Sequence, residues 1–208
     1  KNVNFFDARK VNMKMISNQE VNDYFRMLND ATSTVPFNNV QRLTAALFGV
    51  WRGNNKLLIC GNGGSAGNAI HLANDFIYGV GGGEIPGLDV EALTSNASVL
   101  TCLGNDVGYD RIFSEQIKAK GRKGDVLLAL SGSGNSPNIV KALETGNHCG
   151  LETHAILGFS GGHCINIAGN SIHIPIEDMQ IAEDLQIVIG HICMKWLFAN
   201  RLKIRAVD

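Results

Sequence analysis

The feature that most limits how this chain can fold is a pair of short apolar runs, each ending in a turn rich in glycine or serine. Leu57-Leu58-Ile59-Cys60 passes directly into Gly61-Asn62-Gly63-Gly64-Ser65-Ala66, and residues 126–130 pass into Ser131-Gly132-Ser133-Gly134-Asn135-Ser136. Apolar runs of this length without polar alternation suit parallel strands covered on both faces. Helical patterns open immediately afterwards, at Ser65 and at Pro137, and proline is favoured in a first helical turn. Strand, turn and helix in that order make a βαβ unit. The expected fold is therefore α/β, a doubly wound and mainly parallel five-stranded sheet flanked by helices.

The alternation continues along the chain. Apolar runs at 90–93, 154–158 and 171–175 supply the other strands, with a helix over 97–103 and a helical or loop segment after residue 158. One long helix should run from about Met179 to Leu202. The first 55 residues differ, because they lack a strand-like run. Val21, Tyr24, Phe25 and Leu28 recur at i, i+3, i+4, i+7, behind Ser17 and Glu20, which form a capping box. A second helix covers 38–52, with Val40, Leu43, Leu47 and Val50 on one face and Gly53-Asn54-Asn55 as its stop. With 208 residues and no linker or repeat, the chain reads as one domain. Residues 1–55 form an N-terminal helical segment suited to oligomer packing, and 56–208 an α/β core. Residues 79–86, with four glycines, should form a mobile loop at the ligand-facing edge of the sheet, either a lid or a plain flexible turn.

Charge and cysteine usage exclude several classes. The 18 basic and 19 acidic residues are interspersed, and no basic stripe exists to neutralise a nucleic-acid backbone. The lysines at 118–123 read as the solvated end of a helix. Cys60, Cys102, Cys149, Cys164 and Cys193 contain no Cys-x-x-Cys pair, which excludes a zinc knuckle or thioredoxin-like site. They are expected to be small buried residues in a reducing cytosol. No signal-like segment is read at the N-terminus, and the apolar stretch 187–198 carries His191 and Lys195 and is too short to span a bilayer. The expected location is cytoplasmic, without a nucleic-acid or membrane partner.

In both turns, glycine lets the backbone fold tightly and present N–H groups, and the following helix N-terminus favours an anion. A tight βα turn also uses glycine for steric reasons alone. Two such cradles on neighbouring strands, with Ser65, Ser131, Ser133 and Ser136 as donors and no cation, suit a compact phosphate monoester. Neither cradle is a Walker A loop or a full dinucleotide fingerprint. His71 and Asp75 stand four apart and share a helix face. Glu183 and His191 stand on the last helix, ~12 Å apart along its axis. Each has an ordinary alternative: a helix-surface pair for His71 and Asp75, a core histidine for His191, a solvated acid for Glu183.

Taken together, Gly61-Asn62-Gly63-Gly64-Ser65-Ala66, His71, Asn105-Asp106-x-Gly108-Tyr109, residues 131–136 and Ile189-Gly190-His191-Ile192 resemble the sugar isomerase (SIS) domain. Within it they resemble the phosphoheptose isomerases. The resemblance spans nearly the whole chain. It implies an aldose–ketose isomerase that converts sedoheptulose 7-phosphate to D-glycero-D-manno-heptose 7-phosphate for bacterial surface polysaccharide, such as lipopolysaccharide or capsule. It implies that Ser65, Ser131, Gly132, Ser133 and Ser136 hold the phosphate, and that Asn62, Gly63, Gly64, Asn105 and Asp106 line the sugar site. Asp75, Glu183 and His191 would be catalytic, and with His71 would form a site for zinc or another divalent metal. Homotetramers with active sites at subunit interfaces are also implied. Two positions depart from the family pattern: Asp75 stands where glutamate is usual, and Glu183 where glutamine is usual. Gln180 replaces a common aspartate. The shorter Asp75 sets its carboxylate roughly 1.5 Å back unless the helix shifts, a displacement that can cost ~100-fold in rate. The other readings are isomerisation of a different sugar phosphate and a non-catalytic phosphosugar-binding module.

Overall fold

The computed structural model describes residues 14–204, so residues 1–13 of the expected helical segment lie outside the described residues. Helix α1 (Asn18–Thr32) opens on the capping box: Ser17 Oγ accepts from the Glu20 N–H, and Glu20 Oε2 accepts from the Ser17 N–H at 2.7 Å. Of its apolar stripe, Tyr24 and Leu28 pack on the core while Val21 and Phe25 stay exposed. Helix α2 (Phe37–Arg52) buries Val40, Leu43, Leu47 and Val50 as its periodicity requires. The core then runs β1 (Lys56–Gly61), α3 (Gly64–Asn74), β2 (Asp89–Ala92), α4 (Ala97–Asp106), α5 (Ser114–Lys120) and β3 (Val126–Ser131). It continues through α6 (Pro137–His148), β4 (Glu152–Leu157), α7 (Cys164–Ile167), β5 (Asn170–His173) and α8 (Met179–Asn200).

All five strands are parallel, in the order β2-β1-β3-β4-β5. Successive residues point to opposite faces, so each apolar run feeds two cores. Leu57 and Ile59 join Leu128, Leu130, Leu72, Leu185 and Ile189 beneath α2, α3 and α8. Leu58 and Cys60 join Leu127, Ala129, Ile117, Ile139 and Leu143 beneath α5 and α6. The chain leaves β1 towards β2 on one side and returns to β3 on the other. At such a reversal the crossover helices diverge and leave a crevice at the carboxyl ends of the strands. Register places Gly61 against Leu130, so the two glycine- and serine-rich turns leave the sheet side by side.

Three expectations need correction. The stretch 79–86 does not lie at the ligand-facing edge: α3 has carried the chain back across the sheet, and β2 starts beyond it with Asp89 opposite Lys56. It is packed down, with Val80 and Ile85 buried, the Trp51 indole donating to Pro86 O at 3.0 Å, and Glu84 paired to Arg201. Cys102 is exposed and Cys149 half-buried, whereas Cys60, Cys164 and Cys193 are buried. Burial pushes the Cys60 thiol far up and the Cys164 thiol up to about 11, which keeps both unreactive. Finally, α3 does not continue as a regular helix through Asp75, because Asp75–Gly79 forms a π-helical turn.

A buried polar chain pins α2 to the sheet. Asn39 Nδ2 donates to Asn170 Oδ1 and Ser171 O, and Asn170 Nδ2 donates to Asn39 O and to His154 Nδ1 at 2.9 Å. His154 Nε2 lies 3.0 Å from Glu152. Burial, aided by the charge of Arg42 and opposed by Glu152, pulls the imidazole below its ordinary 6.5. A folded-state value below the unfolded one means the unfolded chain takes the proton first as pH falls. This stabilisation is therefore present above about pH 6.5 and lost below it. The melting temperature should fall between pH 7.5 and 5.5, with a shallower slope in His154→Gln; an unchanged slope in that variant would remove His154 from the account.

Candidate functional site

The two turns meet in one cleft of about 240 Å³. Its wall is built by Asn62, Gly63, Gly64 and Ser65 from the first turn, Ser131, Gly132, Ser133 and Ser136 from the second, and Leu130, Met179 and Glu183. A larger cavity of about 470 Å³ lies between α4 and α5, but its wall is almost wholly apolar, and a ligand site needs convergent polar groups. In the second turn Gly134 has φ +66°, and a Cβ there would lie 2.0 Å from Gly161 O. Only glycine closes this loop. Ser131 Oγ accepts the Gly134 N–H at 3.1 Å and Ser133 Oγ the Asn135 N–H at 3.3 Å, so the loop holds its own hydroxyls in place. In the first turn, Asn62 is hydrogen-bonded to Asn138 and to Tyr109. Spacing arguments do not single out Asn138, Met179 or Tyr109 as site residues; Tyr109 is visible only as the last member of the 105–109 motif.

Helices α3 and α8 run side by side in the same direction, and their seam organises the acids and histidines. At its start the Glu183 carboxylate sits against Gly64, where a Cβ would meet its oxygens at 2.2 and 2.6 Å. One turn on, Asn68 Nδ2 donates to Glu183 O and to Gln186 Oε1. Next, Gly190 lets Leu72 pack so closely that a Cβ would meet Leu72 Cδ2 at 2.2 Å. Beside that contact His71 Nε2 and His191 Nε2 stand 3.0 Å apart. Asp75 Oδ2 is 3.4 Å from His71 Nε2 and 3.2 Å from His191 Nε2. The short aspartate reaches both rings from the first residue of the π turn, a helix irregularity frequent at functional sites.

Two imidazoles and a carboxylate converging in this way fit a divalent metal. Their ligand atoms all lie within 4.8 Å of one another. The separations of 3.0–3.4 Å match the edge of ~3.3 Å expected for a zinc tetrahedron with bonds of ~2.0–2.1 Å. Glu183 lies outside this group: it stands eight positions before His191, and within one chain it lines the glycine- and serine-rich cleft instead. The expected four-ligand set is thus reduced to three in one chain. Asn105 and Asp106 stand on the last turn of α4, exposed, and do not line the cleft. They bond to each other at 2.8 Å, and that bond, with one from Cys102, holds the Asp106 carboxyl below its usual range.

Glycine at the seam makes two contrasting predictions. Gly190→Ala should overpack against the buried Leu72, lowering stability by about 1–3 kcal/mol and separating the two histidines. Gly64→Ala meets only the far end of the Glu183 side chain, so it should leave the melting temperature nearly unchanged while weakening inhibition by phosphate. Chemical denaturation and inhibition kinetics on both variants test the distinction.

Comparison with known proteins supplies an independent line. The profile of the SIS domain matches residues 22–158. A phosphoheptose isomerase of Aneurinibacillus thermoaerophilus is 38% identical over 153 residues, which is 74% of this chain and 77% of that protein. The solved phosphoheptose isomerase of Neisseria gonorrhoeae superposes with a TM-score of 0.80 at 28% identity, covering 87% of this chain and 98% of that one. For the Francisella tularensis phosphoheptose isomerase the TM-score is 0.82 at 27% identity, with 89% and 100% covered.

Proposed function

The chain belongs to the SIS-domain family, among the phosphoheptose isomerases, and from that premise we propose that it converts sedoheptulose 7-phosphate to D-glycero-D-manno-heptose 7-phosphate. The observation that carries this reading is the meeting of His71, Asp75 and His191 at one end of the α3–α8 seam whose other end abuts the phosphate cleft. From Gly64 to His71 is ~10 Å along α3, at ~1.5 Å per residue. An extended chain gains ~1.2 Å per bond, so the six carbon–carbon bonds of a heptose plus its phosphate ester also span ~10 Å. With the phosphate on Ser65, Ser131, Gly132, Ser133 and Ser136, the C1–C2 end would reach the histidines.

Moving a carbonyl between C1 and C2 requires a base at carbon and an acid at oxygen. Starting from the ketose, Asp75 removes a proton from C1 while the C2 oxygen takes one from His191, giving the enediol. Asp75 then returns its proton to C2 while His191 takes the proton from O1, which leaves the C1 aldehyde and restores both groups. Asn62, Gly63, Gly64 and Glu183 face the middle of the sugar, and Glu183 is the second carboxylate for proton exchange with its hydroxyls. Zinc or another divalent ion on His71, Asp75 and His191 would, when bound, polarise the carbonyl in place of a proton from His191.

His191→Ala and Asp75→Asn should each lower conversion of sedoheptulose 7-phosphate by at least ~100-fold while leaving inorganic phosphate binding intact. Full turnover in both variants would reject the site assignment. Dialysis against a chelator should remove activity and zinc should restore it; activity indifferent to chelation would remove the metal from the reading.

The reading extends to assembly as a homotetramer. Phe37 is 73% exposed, Ile192 51% and Trp196 45%, and the three line one apolar groove between α2 and α8. Exposure of that kind marks a protein interface. Sites shared between subunits would also give Asn105 and Asp106 a place at a neighbour's cleft. Light scattering should return four times the chain mass, falling in Trp196→Asp; a monomer would reject it. In this reading the enzyme works in the cytoplasm and supplies heptose for bacterial lipopolysaccharide or capsule. Among the described residues no helix is long and apolar enough to cross a membrane.

A further inference from the structure

Three segments far apart in sequence meet beside the cleft, joined by one hydrogen-bonded triad. Asn62 lies in the first cradle, Asn138 in the first turn of α6 directly behind the second, and Tyr109 opens a short 3-10 turn (Tyr109–Arg111) between α4 and α5. The two carboxamides pair reciprocally, each Nδ2 donating to the other's Oδ1 at 2.8 Å. Tyr109 donates its hydroxyl to the same Asn62 Oδ1 at 3.0 Å. Asn138 is 1% exposed, so water does not compete for that half of the pair, and a shielded polar network holds its geometry firmly. The turn that carries Tyr109 is itself anchored, because Asp110 is ion-paired to Lys141 on α6.

A carboxamide oxygen has two lone pairs and its nitrogen two hydrogens. Asn62 Oδ1 accepts from both Asn138 and Tyr109, and Nδ2 has given one hydrogen to Asn138. Asn62 can therefore offer a substrate one N–H and no acceptor. That N–H points wherever the triad holds the amide plane.

We propose that Tyr109 is a positioning residue for the isomerase: its hydroxyl locks Asn62 onto Asn138 and aims the remaining Asn62 N–H at an oxygen of the sugar. This rests on the reading of the cleft as the sugar-phosphate site. Tyr109 is 63% exposed, so loss of its hydroxyl leaves the core untouched.

Tyr109→Phe tests the proposal through kcat and KM for sedoheptulose 7-phosphate, the inhibition constant of inorganic phosphate, and the melting temperature. Expected is a fall in kcat/KM of roughly 5- to 20-fold, the scale of one lost hydrogen bond with a slight misplacement. The phosphate inhibition constant and the melting temperature should stay at their wild-type values, since residues 131–136 are untouched. Unchanged kcat/KM overturns the proposal. So does a parallel loss of phosphate affinity and melting temperature, which would make Tyr109 a structural prop alone. Wild-type protein that neither converts the sugar nor is inhibited by phosphate would instead overturn the cleft reading itself.

Discussion

The close approach of α3 to α8 is the constraint on which the site depends. Two glycines permit it, one on each helix. At Gly190 the absent side chain admits Leu72, and at Gly64 it admits the Glu183 carboxylate. Asn68 ties the helices together between those points. Because protein interiors are close-packed, a single methyl group at either position would have to displace something. The seam therefore acts as a ruler along which the glycine- and serine-rich cleft and the His71–Asp75–His191 group sit a definite distance apart.

The sheet serves that seam. Its strand order reverses between β1 and β3, which brings both glycine- and serine-rich turns to one crevice. The two apolar cores on its faces hold the helices whose N-termini carry those turns. Polar groups fasten the periphery: the Ser17–Glu20 capping box at α1, and the Asn39–Asn170–His154 chain under α2. Tyr24 on α1 hydrogen-bonds Asp184 on α8 at 2.6 Å, and that carboxylate pushes the phenol up to about 12. The N-terminal helix is thereby joined to the helix that bears His191.

Much of this is legible in the sequence. Uninterrupted apolar runs identify β1 and β3 within one residue, and the periodicity of Val40, Leu43, Leu47 and Val50 identifies the buried face of α2. The motif at 61–66 and that at 131–136 did converge. Glu183 was harder, because sequence spacing along α8 says how far it is from His191 but not which neighbour each side chain meets. Asp75 illustrates a second limit. A regular helix would have left the shorter acid back from its partners, and the π turn that begins at Asp75 has no spacing signature to predict it.

What the sequence alone determined is the class of sheet, the two glycine- and serine-rich turns and the inventory of acids and histidines, since these follow from local chemistry: apolar runs, glycine conformations and helix termini. The tertiary structure alone decided which of those residues act together. Rotation and separation of α3 and α8 follow from packing at Gly64 and Gly190, and from there His71, Asp75 and His191 form one group while Glu183 joins the cleft. The 79–86 stretch was misplaced for the same reason. Its composition is that of a loop, but which edge of the sheet it occupies depends on where the preceding helix ends.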